Sequence, residues 1–203
     1  MNKKKLQSEQ TKKKVAEAAR ALFAQKGYKA TSIEDIVAAT GSSKGNIYYH
    51  FQSKEGLFQY LLNEWDNEWK EQWSELERDY ATVSDKLQGL AEHLVVNDLN
   101  HPLTRATDEF LTSEWERSDV QDDLSSHMNQ HVEFNKQLLQ QAMDKGELAQ
   151  GDAATMAYVL EALFMGLAEV SKRMPDREAT IDIYRNAMNV FLNGTTVGSS
   201  EKR

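Results

Sequence analysis

The chain has 203 residues, no cysteine, two prolines and a net charge of -8. The length suits one or two domains with a real core, and the absence of cysteine excludes disulfides and thiolate metal sites. No uncharged apolar run approaches the ~18 residues of a membrane span, and the basic start Met1-Asn2-Lys3-Lys4-Lys5 leads into polar residues rather than an apolar signal segment.

The expectation is therefore a soluble cytoplasmic protein. Turn formers are few and apolar residues recur at helical spacing almost throughout, so the fold class is all-α. The overall negative charge hides an asymmetry. Residues 1–56 hold 11 Lys/Arg against 5 Asp/Glu, a net of +6, whereas residues 57–203 hold 13 against 27, a net of -14. A basic head on an acidic body points to a polyanion as partner of the head alone.

The first helix is expected over 7–26, with Val15, Ala18, Ala19, Leu22 and Phe23 on one face and Gly27 as its stop. Lys12, Lys13 and Lys14 lie near its start, within reach of a phosphate backbone. The stretch Thr31–Lys54 then reads as two short helices about a tight turn. Thr31 and Glu34 form a capping-box pair ahead of Ile33, Ile36 and Val37. Thr40-Gly41-Ser42 is the turn, with Gly41 in a left-handed conformation and Ser42 capping the next helix. In that helix Lys44 and Tyr48 share one face, Gly45 and Tyr49 the adjoining one, and Ile47 and Phe51 turn inward. Gly45 lets the backbone come close to DNA. The lysine supplies charge and the tyrosine hydroxyls directed hydrogen bonds.

Ser53 caps a long fourth helix to about Tyr80, with the stripe Leu57, Leu61, Trp65, Trp69 and Trp73. Glu64, Asp66 and Glu68 lie among the tryptophans, and aromatic faces beside carboxylates suit an organic cation. A fifth helix follows Thr82, and Pro102 stands in the first turn of a sixth. The seventh runs from about Asp119 to Asp144, with the stripe Val120, Leu124, Met128, His131, Phe134, Leu138 and Met143. His127 and His131 are four apart, a spacing that can hold zinc, but without the glutamate of the zincin pattern; ordinary hydrogen bonding is the simpler reading, with no metal and no cofactor. Asp152 caps an eighth helix, and a ninth ends at Asn193-Gly194 before a polar tail.

Ser42-Ser43-Lys44-Gly45-Asn46-Ile47-Tyr48-Tyr49-His50-Phe51, followed by Ser53-Lys54-Glu55 and Leu57-Phe58, resembles the DNA-binding signature of the TetR family of transcriptional regulators. Trp69-Lys70-Glu71-Gln72-Trp73, Pro102-Leu103, Glu109-Phe110 and Phe191-Leu192-Asn193-Gly194 narrow the likeness to the QacR-like, multidrug-sensing branch. The resemblance implies a nine-helix architecture. It comprises a helix-turn-helix domain over 1–52, a ligand-binding and dimerisation domain over 53–194, and a flexible tail over 195–203.

It further implies DNA contacts by Thr31, Ser42, Ser43, Lys44, Gly45, Tyr48, Tyr49, His50 and Lys54. The ligand-binding positions would be Trp65, Asp66, Trp69, Asp98, His101, Thr104, Met128 and His131. The last two helices would form the dimer interface through Met156, Leu160, Leu163, Phe164, Leu167, Tyr184, Met188 and Phe191. The expected function is a homodimeric repressor that leaves a palindromic operator when a small molecule, by resemblance a cationic aromatic one, binds the body. The partners are then operator DNA, an inducer and a second copy, with no membrane. The competing reading is a small-molecule carrier or enzyme whose basic head serves another anion. It has only His101, His127 and His131 to draw on, and nothing orders them into a nucleophile–base pair.

Overall fold

The computed structural model describes residues 3–114 and 118–195. Among them are nine α-helices and no strand: α1 Lys3–Lys26, α2 Ile33–Thr40, α3 Lys44–Phe51, α4 Lys54–Leu76, α5 Val83–His93, α6 Thr104–Glu114, α7 Ser118–Asp144, α8 Ala153–Ser171 and α9 Arg177–Thr195. The expected all-α, nine-helix architecture is what the chain adopts. A 3-10 turn at Glu77–Asp79 ends the fourth helix early, and a π-helical turn at Leu94–Asp98 follows α5. The sixth helix begins at Thr104, so Pro102 lies just ahead of it and not within its first turn. The expected tail lies mostly outside the described residues, as do the side chains of Val120, Leu124 and His127.

Two caps sit one residue later than expected, for one reason. The Thr31 side chain is buried, and its hydroxyl donates to the Gly27 carbonyl at the end of α1 (2.7 Å). Ser32 therefore caps α2: its Oγ accepts from Asp35 N–H (3.1 Å), and the Asp35 carboxylate accepts from Ser32 N–H (2.9 Å). The capping box is thus Ser32–Asp35, not Thr31–Glu34. Likewise Thr40 uses its hydroxyl twice, donating to Ile36 O (2.7 Å) and accepting from Ser42 N–H (3.1 Å). The cap of α3 passes to Ser43, which accepts from Asn46 N–H (3.2 Å). Gly41 takes the expected left-handed conformation, φ +69°.

The chain packs as two compact units. One comprises Met1–Gln72 and His101–Val120, the other Trp73–Asn100 and Gln121–Arg203. The first is centred on four rings. Phe23 from α1 meets Phe58 from α4 edge to face at 4.9 Å, and Tyr28 after α1 meets Phe110 from α6 at 4.9 Å. Phe58 and Phe110 close the cluster at 5.0 Å. Each such pair contributes about 0.5–1.5 kcal/mol beyond its burial. Glu109, next to Phe110, accepts a hydrogen bond from Lys29 N–H (3.1 Å), so α6 is tied to the segment between α1 and α2 by both packing and polarity.

In the second unit α9 packs on both α5 and α8. Leu87, Leu90, Leu160, Phe164, Tyr184 and Met188 are buried there, with Phe164 stacked on Tyr184. Gln88 donates to Asn189 (2.8 Å), and Arg185 pairs with Glu92 (2.6 Å). Six of the residues expected at a dimer interface, Leu160, Phe164, Leu167, Tyr184, Met188 and Phe191, are buried within the single chain. They are core, because α9 packs on both α5 and α8. The face of α8 left exposed carries Tyr158, Val159, Met165 and Val170, joined on α9 by Val190. Met156 and Leu163 are half-buried at the border. By length and composition α8 is apolar enough to cross a membrane. One stripe packs in the chain, however, and its Glu161 accepts from buried Asn135 of α7 (3.1 Å).

Candidate nucleic-acid interface and ligand-binding residues

The α2–turn–α3 segment presents a short polar helix on a fixed base. Ile47 and Phe51 anchor α3 inward, while Ser43, Lys44, Gly45, Tyr48 and Tyr49 are exposed and Ser42 and His50 half-exposed. Tyr49, at 78% exposure, is the most exposed large ring among the described residues. Open space surrounds the Cα of Gly45, so a flat surface can approach the backbone there. Lys14 of α1 donates to the Thr40 carbonyl (2.7 Å) and so closes the end of α2. The turn is braced from both sides before any DNA arrives.

Other lysines of the head are engaged as well. Lys44 pairs with the Glu34 carboxylate of α2; the contact holds the Lys44 pKa above and the Glu34 pKa below their ordinary values. Lys54 donates to the carbonyls of Tyr28 (3.0 Å) and Thr31 (3.2 Å) and lies over the Tyr28 ring (4.1 Å). Lys12 sits over the Tyr60 ring (4.2 Å). Two of the residues expected to contact phosphate, Thr31 and Lys54, are turned to carbonyls of the chain itself. The Thr31 hydroxyl is buried with a carbonyl acceptor, and the Lys54 ammonium closes the loop between α1 and α2.

The junction of α3 and α4 has almost no free volume. Gln52 has φ +63°, Ser53 N–H donates to Phe51 O (2.7 Å), and Ser53 Oγ accepts from Gly56 N–H (3.0 Å). Ser53 thus caps α4 as expected. A Cβ on Gly56 would lie 2.2 Å from the Phe51 carbonyl oxygen, so only glycine fits.

Five of the eight expected ligand residues belong to this first unit. Trp65 of α4 stacks on His101 at 3.9 Å and 13°, and Thr104 begins α6. Asp66 pairs with Lys70 (2.8 Å). Arg20 of α1 reaches Glu64 (3.3 Å) and Glu68 (3.0 Å) on α4, and Tyr60 donates to Glu64 (2.6 Å). Burial, then the nearby Arg20, pushes the His101 pKa down, so the ring on Trp65 is a neutral imidazole at neutral pH. Trp69 is half-buried.

The other three lie in the second unit. Asp98 ends the π turn, Met128 is exposed, and exposed His131 stands 3.3 Å from Glu161. The buried face of α7 there runs through Val132, Asn135, Leu139 and Met143, so Met128 and His131 are not part of its core stripe. Sequence reading placed Glu34 in a capping box and missed both its pairing with Lys44 and the reach of Arg20 to α4. Both are charged residues on otherwise solvated faces, and only their partners' positions reveal them.

A braced two-helix turn presenting lysine and tyrosines on a short second helix defines a helix-turn-helix protein of the DNA-reading kind. Residues 15–61 match the family described as bacterial regulatory proteins, tetR family, and residues 65–197 match that described as QacR-like protein, C-terminal region. The chain belongs to the TetR family of transcriptional regulators. It is 27% identical over 183 residues to the HTH-type transcriptional regulator QacR of Staphylococcus aureus, covering 90% of this chain and 97% of that protein.

It is also 27% identical over 192 residues to the HTH-type regulator YfiR of Bacillus subtilis, covering 93% and 92%. A TetR-family regulator from Pectobacterium atrosepticum superposes with a TM-score of 0.74 at 20% identity over 95% of this chain and 97% of that one. One from Cytophaga hutchinsonii superposes at 0.76 and 18% over 95% and 98%. At these identities the superpositions establish the fold. The protein is thus a DNA-binding transcriptional regulator, and its relatives are regulators rather than enzymes. Regulators of this family are typically ligand-responsive repressors that bind operators, usually as dimers.

Proposed function

We propose that this protein is a homodimeric repressor in the cytoplasm whose two α3 helices enter successive major grooves of a palindromic operator. Half-sites in such dimers repeat at about 34–36 Å or its multiples. Ser43, Lys44, Tyr48, Tyr49 and the Gly45 backbone make the contacts, with Ser42 and His50 at the margin. The functional division falls at residues 52/53, although packing groups α6 with the head. The second copy meets the exposed apolar face of α8, through Tyr158, Val159, Met165 and Val170. A small planar molecule, aromatic and cationic, enters the stack that Trp65 now makes with His101, near Asp66, Trp69 and Thr104. It is held because it binds one of two states better than the other.

The observation that carries this reading is the α3–α4 junction. Gly56 has room for no side chain against Phe51, so a tilt of α4 becomes a displacement of α3. A ligand that moves α4 then changes the spacing of the two reading heads. The test is a DNA footprint with and without a panel of planar cationic and neutral compounds, followed in parallel by tryptophan fluorescence. Two protected half-sites, lost on adding a cation that quenches Trp65, are expected. Protection that survives every compound would overturn ligand release. Quenching by neutral compounds alone would overturn the cationic assignment. Affinity for the cation that is unchanged in Trp65→Ala would place the ligand elsewhere.

A further inference from the structure

Gln52 is held in a conformation that disfavours a side chain. It follows α3 with φ +63° and ψ -42°, and the Ser53 N–H donates across it to the Phe51 carbonyl (2.7 Å). That is a γ-turn of the rare, strained kind. At the other positive-φ positions among the described residues stand Gly27, Gly41 and Gly146, where the missing Cβ removes the strain. Gln52 is the exception among them. Nothing in the fold uses its side chain. Gln52 is exposed, and among the described residues its carboxamide bonds to none of the chain's own groups.

Position puts this amide beside the reading face. The Gln52 N–H keeps the helical bond to the Tyr48 carbonyl (2.9 Å), so Lys44, Tyr48 and Gln52 follow one another in four-residue steps along α3. In helix-turn-helix proteins the first residues of the second helix meet base edges, and its far end meets the sugar–phosphate backbone.

We infer that Gln52 is a further DNA-contacting residue, whose carboxamide N–H donates to an operator phosphate at the C-terminal end of α3. The inference rests on α3 as the DNA-reading helix. It accounts for a side chain where glycine would be less strained: the residue lowers the stability of the free protein and adds to DNA affinity, a trade of stability for binding. Because the amide is neutral, its contact releases no counterion. It adds affinity without adding salt dependence.

The test uses the full chain and an operator duplex selected from a random-sequence library, with binding read by fluorescence anisotropy across a salt series. Q52A keeps the Cβ and removes the amide; Q52G removes both. Each should weaken operator binding about three- to tenfold with the salt slope unchanged. Q52G should also melt about 2–4 °C above the wild type as the strain is relieved, whereas Q52A should not. Q52K sets a cation in the same place and should steepen the slope by about 0.9 per head. K44A serves as the control on α3 itself.

Operator affinity unchanged in Q52A while K44A weakens it overturns the inference and leaves the reading of α3 intact. If neither variant weakens binding, the reading of α3 fails and takes the inference with it. A Q52G chain that melts below the wild type would make the side chain structural, and an unchanged slope in Q52K would leave no phosphate beside it. Either result overturns the Gln52 contact.

Discussion

The exposed faces of α3 and α8 are both unlike an ordinary protein surface, and in opposite ways. On α3 the exposed residues are polar or amphipathic, namely Lys44, Tyr48 and Tyr49 on a helix of eight residues held by caps and a turn. On α8 the large exposed side chains are apolar, Tyr158, Val159, Met165 and Val170, with Glu169 near the end of a helix of nineteen residues. A face of charge and hydroxyls suits a hydrated, charged partner, because its groups stay solvated until phosphates replace the water. A contiguous apolar face suits another apolar face, because only burial removes its contact with water. On the proposed reading, one chain carries two kinds of recognition. The polar one is built from local hydrogen bonds, and the apolar one from whatever the core left uncovered.

The largest expected effect breaks the apolar half. Val159→Glu with Met165→Glu should convert a dimer to monomers in sedimentation or light scattering. Operator affinity should fall on the order of a hundredfold or more as two linked heads become independent. Leu160→Ala, one residue away but buried in the chain, should instead destabilise the fold by about 2–5 kcal/mol with the dimer retained in the folded fraction. A dimer that survives the paired glutamates would move the interface off α8. Next comes the junction that links the polar face to the rest. Gly56→Ala forces a Cβ onto the Phe51 carbonyl and should cost about 1–3 kcal/mol of stability, with thermal melting as readout. Unchanged melting would mean that α4 can pivot against α3, and the coupling argument would fail.

Smaller effects sharpen the local character of α3. Ser43→Ala should cost about 1 kcal/mol as the cap is lost, whereas Ser42→Ala should stay within about 0.5 kcal/mol, measured by chemical denaturation. Equal costs would put the cap back at Ser42. The smallest effect concerns Asp35. Its hydrogen bond from Lys26, then those from Ser32, hold its carboxyl at about 2 against an ordinary 3.8. A depressed carboxyl contributes stability above its unfolded pKa and loses it as pH falls toward the folded one. The helical signal of the wild type should therefore weaken between about pH 4 and pH 2 beyond that of Asp35→Asn. Identical acid profiles would remove Asp35 from the brace.

Much of this was legible in residue order, and the misreadings share a cause. Helix stripes, the Gly41 turn, and the Ser53 and Asp152 caps follow from local rules, because caps and turns bond within a few residues. The caps of α2 and α3 slipped by one where runs of hydroxyls competed: Thr31 and Thr40 each found a backbone carbonyl, and the next serine took the vacant N–H. The sequence position of Lys54 says nothing of the Tyr28 and Thr31 carbonyls that it reaches. The apolar residues of α8 and α9 were visible, but not which were spent on each other. Periodicity marks an apolar helix without saying which side its own chain covers. The place of α6 in the first unit was equally hidden, since Phe110 meets Tyr28 across a long stretch of sequence.

The sequence by itself determined that this chain is a set of helices, that its head is basic and its body acidic, and that a Ser-Lys-Gly-Asn-Ile-Tyr-Tyr helix follows a tight turn. Those are statements about neighbours along the chain and about totals, and neither needs a third dimension. Only the tertiary structure decided which charges are already engaged and which apolar faces are left over. Lys44 is paired with Glu34, Lys54 is folded inward, and the open face of α8 is Tyr158, Val159, Met165 and Val170. Ion pairs and exposed faces depend on residues far apart in the chain, so packing alone assigns them.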